Sequence, residues 1–325
     1  MTYHVTIFGI HLNLNPVAFT LPIGKNGWPI YWYGIIIATG FLLAILYAFK
    51  KADSYQINKD RMMDVILVTT PLAIFCARAY YCIFENVDGT RISSVREFFG
   101  LDSSGGFQGL AIYGGVIGAF GIGMLMCRLR KVNIPDMFDL AATGFLIGQG
   151  IGRWGNFVNQ EAFGTPTGST WFGMSSEATG GLLVHPCFLY ESIWCIAGFF
   201  LLNALSKKRK FRGQIFLTYG VWYGFGRFFI EMLRTDSLTV GKIRISVLVS
   251  ALAVVICAAF LIVKLYRLRQ KETHSLAAPK LVADEEGTEV PDEETDLPKE
   301  KETPAAEVLQ PDQPEVQEEN HGEDH

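Results

Sequence analysis

Between Gly148 and Gly164 the chain reads GQGIGRWGNFVNQEAFG, and side chains able to do chemistry are densest there. An apolar segment turns polar within a few residues, so Arg153, Asn156, Asn159, Gln160 and Glu161 follow directly on a stretch suited to a bilayer interior. An arginine at such a depth costs roughly 2.5–3.5 kcal/mol on insertion scales, so it has a partner or a task. Snorkelling to lipid headgroups accounts for Arg153 alone. It leaves two asparagines, a glutamine and a glutamate unexplained. Glycines 144, 148 and 152 put small residues on one helix face, where a second helix can approach closely.

A second concentration lies at Tyr219, Tyr223, Arg227 and Glu231, which recur every four residues and form one slowly drifting helical stripe. Two readings of Arg227 and Glu231 stand side by side: a self-contained ion pair across one turn, or part of a polar site. Smaller signals surround these two. Gly105-Gly106-Phe107-Gln108-Gly109 leads to Tyr113-Gly114-Gly115, where Tyr113 is either an interfacial aromatic or a reactive group. Tyr31-Trp32-Tyr33-Gly34 fits an aromatic belt, and His185, before Pro186, fits a helix start. Glu191 would answer a nearby arginine, and Arg78 is an intramembrane cation with no evident sequence partner. Two arginines facing one cavity suit an anion, because guanidinium forks match phosphate oxygens. The phosphate nearest to hand is a phospholipid headgroup. No HExxH, GxSxG or cysteine–histidine metal spacing occurs, so zinc-protease and esterase chemistry has no support.

The elements that must position these groups are apolar helices. Of 325 residues half are hydrophobic, and seven apolar runs of roughly bilayer-spanning length fall near 30–49, 62–84, 110–127, 138–152, 186–205, 214–233 and 245–266. The predicted fold is an all-α polytopic membrane protein of seven transmembrane helices. Alternate flanks carry sixteen lysines and arginines on one side and six on the other. Because basic residues stay cytoplasmic, the N-terminus is expected outside and the C-terminus inside. Residues 1–29 read as an extracytoplasmic, interfacial segment and 30–269 as the membrane domain. The long connections 85–109 and 153–185 are expected to build a small extracytoplasmic cap. From His274 onward the chain holds 17 acidic residues against three lysines, so residues 270–325 read as a disordered, acidic cytoplasmic tail. The six cysteines sit in or beside apolar segments without CxxC spacing and read as inert thiols. The N-terminus lacks the basic region and cleavage site of a secretory signal. A transporter of an anionic lipid would also place arginines in a membrane cavity, but the two halves show no convincing repeat. A non-enzymatic assembly factor with the acidic tail as docking arm is the third class.

The run Gly152-Arg153-Trp154-Gly155-Asn156-Phe157-Val158-Asn159-Gln160-Glu161 resembles the signature of the bacterial phosphatidylglycerol–prolipoprotein diacylglyceryl transferases. Tyr31-Trp32-Tyr33-Gly34, the HPxxLYE run from His185 to Glu191, and the stretch Tyr223 to Glu231 resemble that family's other blocks, in its order. The likeness covers about residues 28–265. It implies transfer of the diacylglyceryl group of phosphatidylglycerol to the lipobox cysteine of an exported prolipoprotein, giving a thioether and releasing glycerol phosphate. It implies the bacterial cytoplasmic membrane as location, a site toward the outer leaflet, no metal, no dissociable cofactor and no nucleic-acid partner. By motif position, Arg153 and Arg227 would hold the phosphate. Asn156, Glu161, Gly164, Tyr223 and His185 would complete the phosphatidylglycerol site, and Tyr33, Glu231 and Tyr113 would join the arginines in catalysis. Many members carry histidine in place of Tyr113, a candidate base. A tyrosine with an ordinary pKa of about 10 is a poor base at neutral pH.

Overall fold

Apolar runs become helices throughout the described chain: α1 (Trp32–Lys51), α2 (Lys59–Phe84), α3 (Ile112–Leu129), α4 (Ile134–Asn159), α5 (Cys187–Ser206), α6 (Gln214–Leu233) and α7 (Ile245–Ala277). The computed structural model describes residues 2–22, 27–84, 98, 109–235, 239–240 and 243–277. The glycine run 105–108, Lys25, Arg91, Arg96, Lys242, most of the connection 85–109, and residues 278–325 lie outside the described residues. Five of the helices, α1, α2, α3, α5 and α7, are long and apolar enough to cross a membrane. Their outward faces carry side chains such as Leu67, Ile117, Phe200 and Val255, each more than half exposed. Large contiguous apolar surface of this kind belongs against lipid.

Two helices outrun their apolar cores. Helix α4 begins where the Asn133 side chain accepts the Asp136 N–H at 3.2 Å, with Pro135 in the first turn. It ends only at Gln160, whose backbone is left-handed (φ 55). The expected span 138–152 is therefore the middle of a helix of 26 residues. The polar run through Asn159 is helical, which puts Arg153 and Asn156 one turn apart. Helix α7 likewise continues past Tyr266 to Ala277, because residues 267–277 contain no glycine or proline to stop it. A disordered tail beginning at 270 is thus corrected: residues 270–277 are helical.

The expectation of an all-α chain is also corrected. Residues 3–31 hold four strands: β1 (Tyr3–Ile7), β2 (Ile10–Leu14), β3 (Val17–Leu21) and β4 (Trp28–Tyr31). A two-residue turn joins β1 to β2, with Phe8 (φ 50) and Gly9 (φ 81) both at positive φ, the pairing a tight hairpin needs. β1 also pairs with β5 (Met174–Ser175), and β3 pairs with β4. Two further short strands, β6 (Thr239–Val240) and β7 (Ile243–Arg244), pair ahead of α7. Strands this short leave a faint periodic signal in a chain dominated by helical runs. The sheet buries Val5 and Met174 with Phe157 of α4, Val184 and Phe188 of α5, so the β-cap is fastened to the polar end of α4. Glu177 adds a second tie by accepting the His4 N–H at 3.0 Å. Its own backbone N–H and that of His4 hold its carboxyl below the ordinary value. That tie is present at neutral pH and is lost as pH falls through the lowered pKa.

Small residues set the helix spacing. Gly144 of α4 faces Ala44, a Cβ on Gly40 of α1 would come within 3.4 Å of the Gly148 backbone, and a Cβ on Gly152 would come within 3.1 Å of Ile37. Glycine thus lets α1 lie close on α4. Between α5 and α6 the contact is reciprocal. Trp194 donates its indole N–H to Trp222 O at 2.9 Å, and Trp222 donates to Trp194 O at 3.1 Å. The two rings stack with centroids 4.2 Å apart. Each indole lies over a glycine of the opposite helix, Trp194 over Gly226 and Trp222 over Gly198. Any side chain at either glycine collides with a ring.

At the end of α4 far from the cap, Asp136 and Asp139 are buried and paired. Arg209 reaches Asp136 at 2.7 Å and Asp139 at 2.9 Å, and Arg212 approaches Asp136 at 3.3 Å. Asp139 also accepts the backbone N–H groups of Gly213 and Phe216, both at 2.8 Å, capping the start of α6. The Arg209 guanidinium lies over the Tyr55 ring at 4.6 Å. This cluster locks α4 and α6 in axial register, about 27 Å along α4 from the cap contact at Phe157 by helical rise.

Candidate active site

Three helices bring the polar residues together. Arg153 comes from α4, Glu191 from the second turn of α5, and Tyr223, Arg227 and Glu231 from α6. Glu191 is the hub, and only 2% of its side chain is exposed. One carboxylate oxygen meets the Arg153 Nη2 at 2.7 Å, and the other meets the Arg227 Nη1 at 2.8 Å. The Tyr223 hydroxyl donates to the same carboxylate at 3.0 Å. The second Arg227 Nη pairs with Glu231 one turn on, and Arg234 Nε stands 3.9 Å from Glu231. Arg244 donates to the carbonyl oxygens of Glu231 and Met232 at 2.7 and 2.8 Å, answering the negative end of α6.

The cluster extends outward along α4. The Arg153 Nη1 donates to Asn156 Oδ1 at 3.2 Å, and Asn156 Nδ2 donates to Glu161 at 2.8 Å. Toward the middle of the bundle, Tyr219 stacks on Tyr223 at 5.6 Å and accepts the Gln149 Nε2 at 2.9 Å. The four-residue stripe of α6 therefore faces α4 and α5. Trp154 donates to Ser192 Oγ at 3.2 Å, and Ser192 donates to Gly150 O at 2.8 Å. These bonds fix α4 against α5 beside the charges.

Of the sequence-assigned residues, Arg153, Asn156, Glu161, Tyr223, Arg227 and Glu231 meet in this network. The others stand around it. The Tyr33 ring lies over Gly155, where a Cβ would come within 2.7 Å of it, so Tyr33 covers the signature helix from α1. Gly164 donates its N–H to His185 O at 2.9 Å, and Thr165 donates to Leu233 O at 2.8 Å. A Cβ on Gly164 would meet His185, Cys187 and Leu233 O at 2.7–3.1 Å. Gly164 thus ties the segment after α4 to the start of α5 and the end of α6. The His185 Nδ1 bonds to the Tyr190 hydroxyl at 3.1 Å rather than to the charged cluster. Tyr113 sits in the first turn of α3, half-buried, and its hydroxyl has no hydrogen-bond partner among the described residues. Arg78 donates to backbone carbonyls: Nε to Phe98 O at 3.0 Å and Nη1 to Gly109 O at 2.9 Å. It fastens the lead-in to α3.

Glu191 was visible in the sequence as a carboxylate in an apolar run, which signals a nearby cation. Its bridging of two arginines on two other helices was not. Helices α1 to α4 line an open-sided apolar cavity of about 390 Å³, with residues including Phe41, Ala73, Leu110, Gly115, Leu140 and Phe145. Helix α4 lines the cavity and also carries Arg153.

A mostly helical membrane protein with a buried arginine–carboxylate centre under a β-cap is the class that fold and site define. Residues 16–263 match the family model described as prolipoprotein diacylglyceryl transferase, and the chain belongs to that family. It is 42% identical over 249 residues to the phosphatidylglycerol–prolipoprotein diacylglyceryl transferase of Bacillus mycoides (strain KBAB4), covering 73% of this chain and 88% of the relative. The proteins of the same name from Bacillus anthracis and Bacillus cytotoxicus are 43% and 41% identical with the same coverage.

Proposed function

We propose that this chain is a phosphatidylglycerol–prolipoprotein diacylglyceryl transferase acting in the first step of lipoprotein maturation. The observation that carries the reading is the pair of guanidiniums from α4 and α6 meeting at one buried carboxylate while staying partly open, with 20% and 16% of their side-chain surface exposed. A phosphodiester presents oxygens to that open face. The lipobox thiolate attacks the glycerol carbon bearing the phosphate ester. The S–C bond forms as the C–O bond breaks, and the ester oxygen leaves with its electron pair on glycerol phosphate. Arg153 and Arg227 stabilise the charge on the departing phosphate, while Asn156 and Glu161 border the glycerol headgroup. The apolar cavity among α1 to α4 suits acyl chains. Purified protein in phosphatidylglycerol vesicles, given a lipobox peptide, should add one diacylglyceryl mass to cysteine and none to a serine control. A transporter or an assembly factor would leave both peptides unmodified.

We infer further that α4 and α6 complete seven spans in a bacterial cytoplasmic membrane. The sixteen-to-six charge bias supports an outside β-cap, an outer-leaflet site and a cytoplasmic end for α7. Single cysteines at Asn159 and Lys208 should then label from opposite faces, Asn159 from outside. Labelling from one face would overturn the topology.

Tyr113 separates two routes for the thiol proton. With no partner for its hydroxyl among the described residues, Tyr113→Phe is expected to lower turnover by less than about tenfold. A loss of roughly 10²–10⁴-fold, the span of general-base contributions, would assign the proton to Tyr113 instead. Initial rates of peptide lipidation measure it.

A further inference from the structure

Glu191 stands apart from the other polar groups of the site by its position behind both arginines. Its side chain is 2% exposed, against 20% for Arg153 and 16% for Arg227. A ligand therefore meets the guanidiniums and not the carboxylate. Each oxygen takes a different arginine: the Asp139 cluster holds the two arginine helices α4 and α6 in register, and the Trp194–Trp222 exchange holds α5, which carries Glu191, against α6. Without an intervening anion, two guanidiniums this close in a low-dielectric setting would repel. Among the described ion pairs, the arginines Arg153, Arg227 and Arg234 outnumber the carboxylates they meet, Glu191 and Glu231. The cluster is therefore suited to take up an anion such as a phosphodiester.

We propose that Glu191 is a positioning residue and the internal counter-ion of the phosphate site. It sets the spacing of the two guanidiniums and competes with bound phosphate for them. The proposal rests on the transferase reading for its effect on turnover, but its binding consequence stands without it. Catalysis gains from interactions that strengthen in the transition state, and uniformly tight binding of substrate and product does not raise kcat. An internal carboxylate weakens the grip on ground-state and product phosphate, and so lets glycerol phosphate leave.

Two variants of the full chain separate charge from placement. Glu191→Gln keeps shape and the Tyr223 bond but removes the competitor. Glu191→Asp keeps the charge but shortens its reach by one methylene. Turnover is measured with phosphatidylglycerol and lipobox peptide, and glycerol phosphate binding by calorimetry on the detergent-solubilised protein. Glu191→Gln should lower kcat and tighten glycerol phosphate binding, each by about tenfold or more. Glu191→Asp should lower kcat while leaving binding within about twofold of wild type. A purely structural role cannot tighten anion binding. Unchanged or weaker glycerol phosphate binding in Glu191→Gln would overturn the counter-ion role. Where that variant fails to insert, wild-type turnover in Glu191→Asp would overturn the positioning role. Tighter binding in Glu191→Gln with an inactive wild type would leave the counter-ion standing and remove the transferase reading instead.

Discussion

Arg153→Lys is expected to lose transfer almost completely in protein that folds and inserts normally. Lysine keeps the charge and tolerates the same depth, so a snorkelling or purely electrostatic arginine would survive the change. The Arg153 guanidinium instead divides its groups, Nη2 to Glu191 and Nη1 to Asn156, and keeps an open face for a ligand. An ammonium is a point charge and cannot hold two fixed protein partners and a phosphate in one plane. Removing one preorganised donor from an anion site typically costs about 10²–10³-fold in kcat, and loss of alignment at Glu191 adds to that. Steady-state lipidation of a lipobox peptide reads the effect. Near-normal transfer by Arg153→Lys would remove Arg153 from the phosphate grip, whatever its place in the signature.

The second large effect is on stability and lies at the opposite end of α4. Asp139→Ala strands part of the Arg209 charge and uncaps the N–H groups of Gly213 and Phe216. Breaking a buried pair by removing one partner costs about 3–5 kcal/mol. The loss should sit near the lower figure, because Asp136 still holds Arg209. Equilibrium unfolding in mixed micelles measures it. A change under about 1 kcal/mol, as for an exposed pair, would show that this cluster does not register α4 against α6.

How much of this was readable in the chain varies element by element. Helix α6 runs Gln214–Leu233, the span its apolar run predicts. Its stripe from Tyr219 to Glu231 was legible because spacing by four is a property of one helix. The sequence shows α4 only in part, because the polar run after Gly152 resembles a helix end, whereas Arg153 and Asn156 are polar on a helix whose partners are polar too. Strands β1 to β4 were missed because five residues of alternation give little signal, and Val5 is their one fully buried side chain. The role of Glu191 depends on which faces α5 and α6 share. That is set by two indoles over two glycines, a three-dimensional fit with no linear spacing.

In the proposed reaction phosphate leaves from a glycerol carbon under the two arginines. Phosphatidylglycerol carrying a heavy oxygen isotope in the ester bridge between the diacylglycerol carbon and phosphorus tests this directly, with a lipobox peptide as acceptor and mass spectrometry of both products. The expected result is all of the label in released glycerol phosphate and none in the thioether-linked peptide. Label retained on the diacylglycerol, or peptide modified without release of glycerol phosphate, would contradict it.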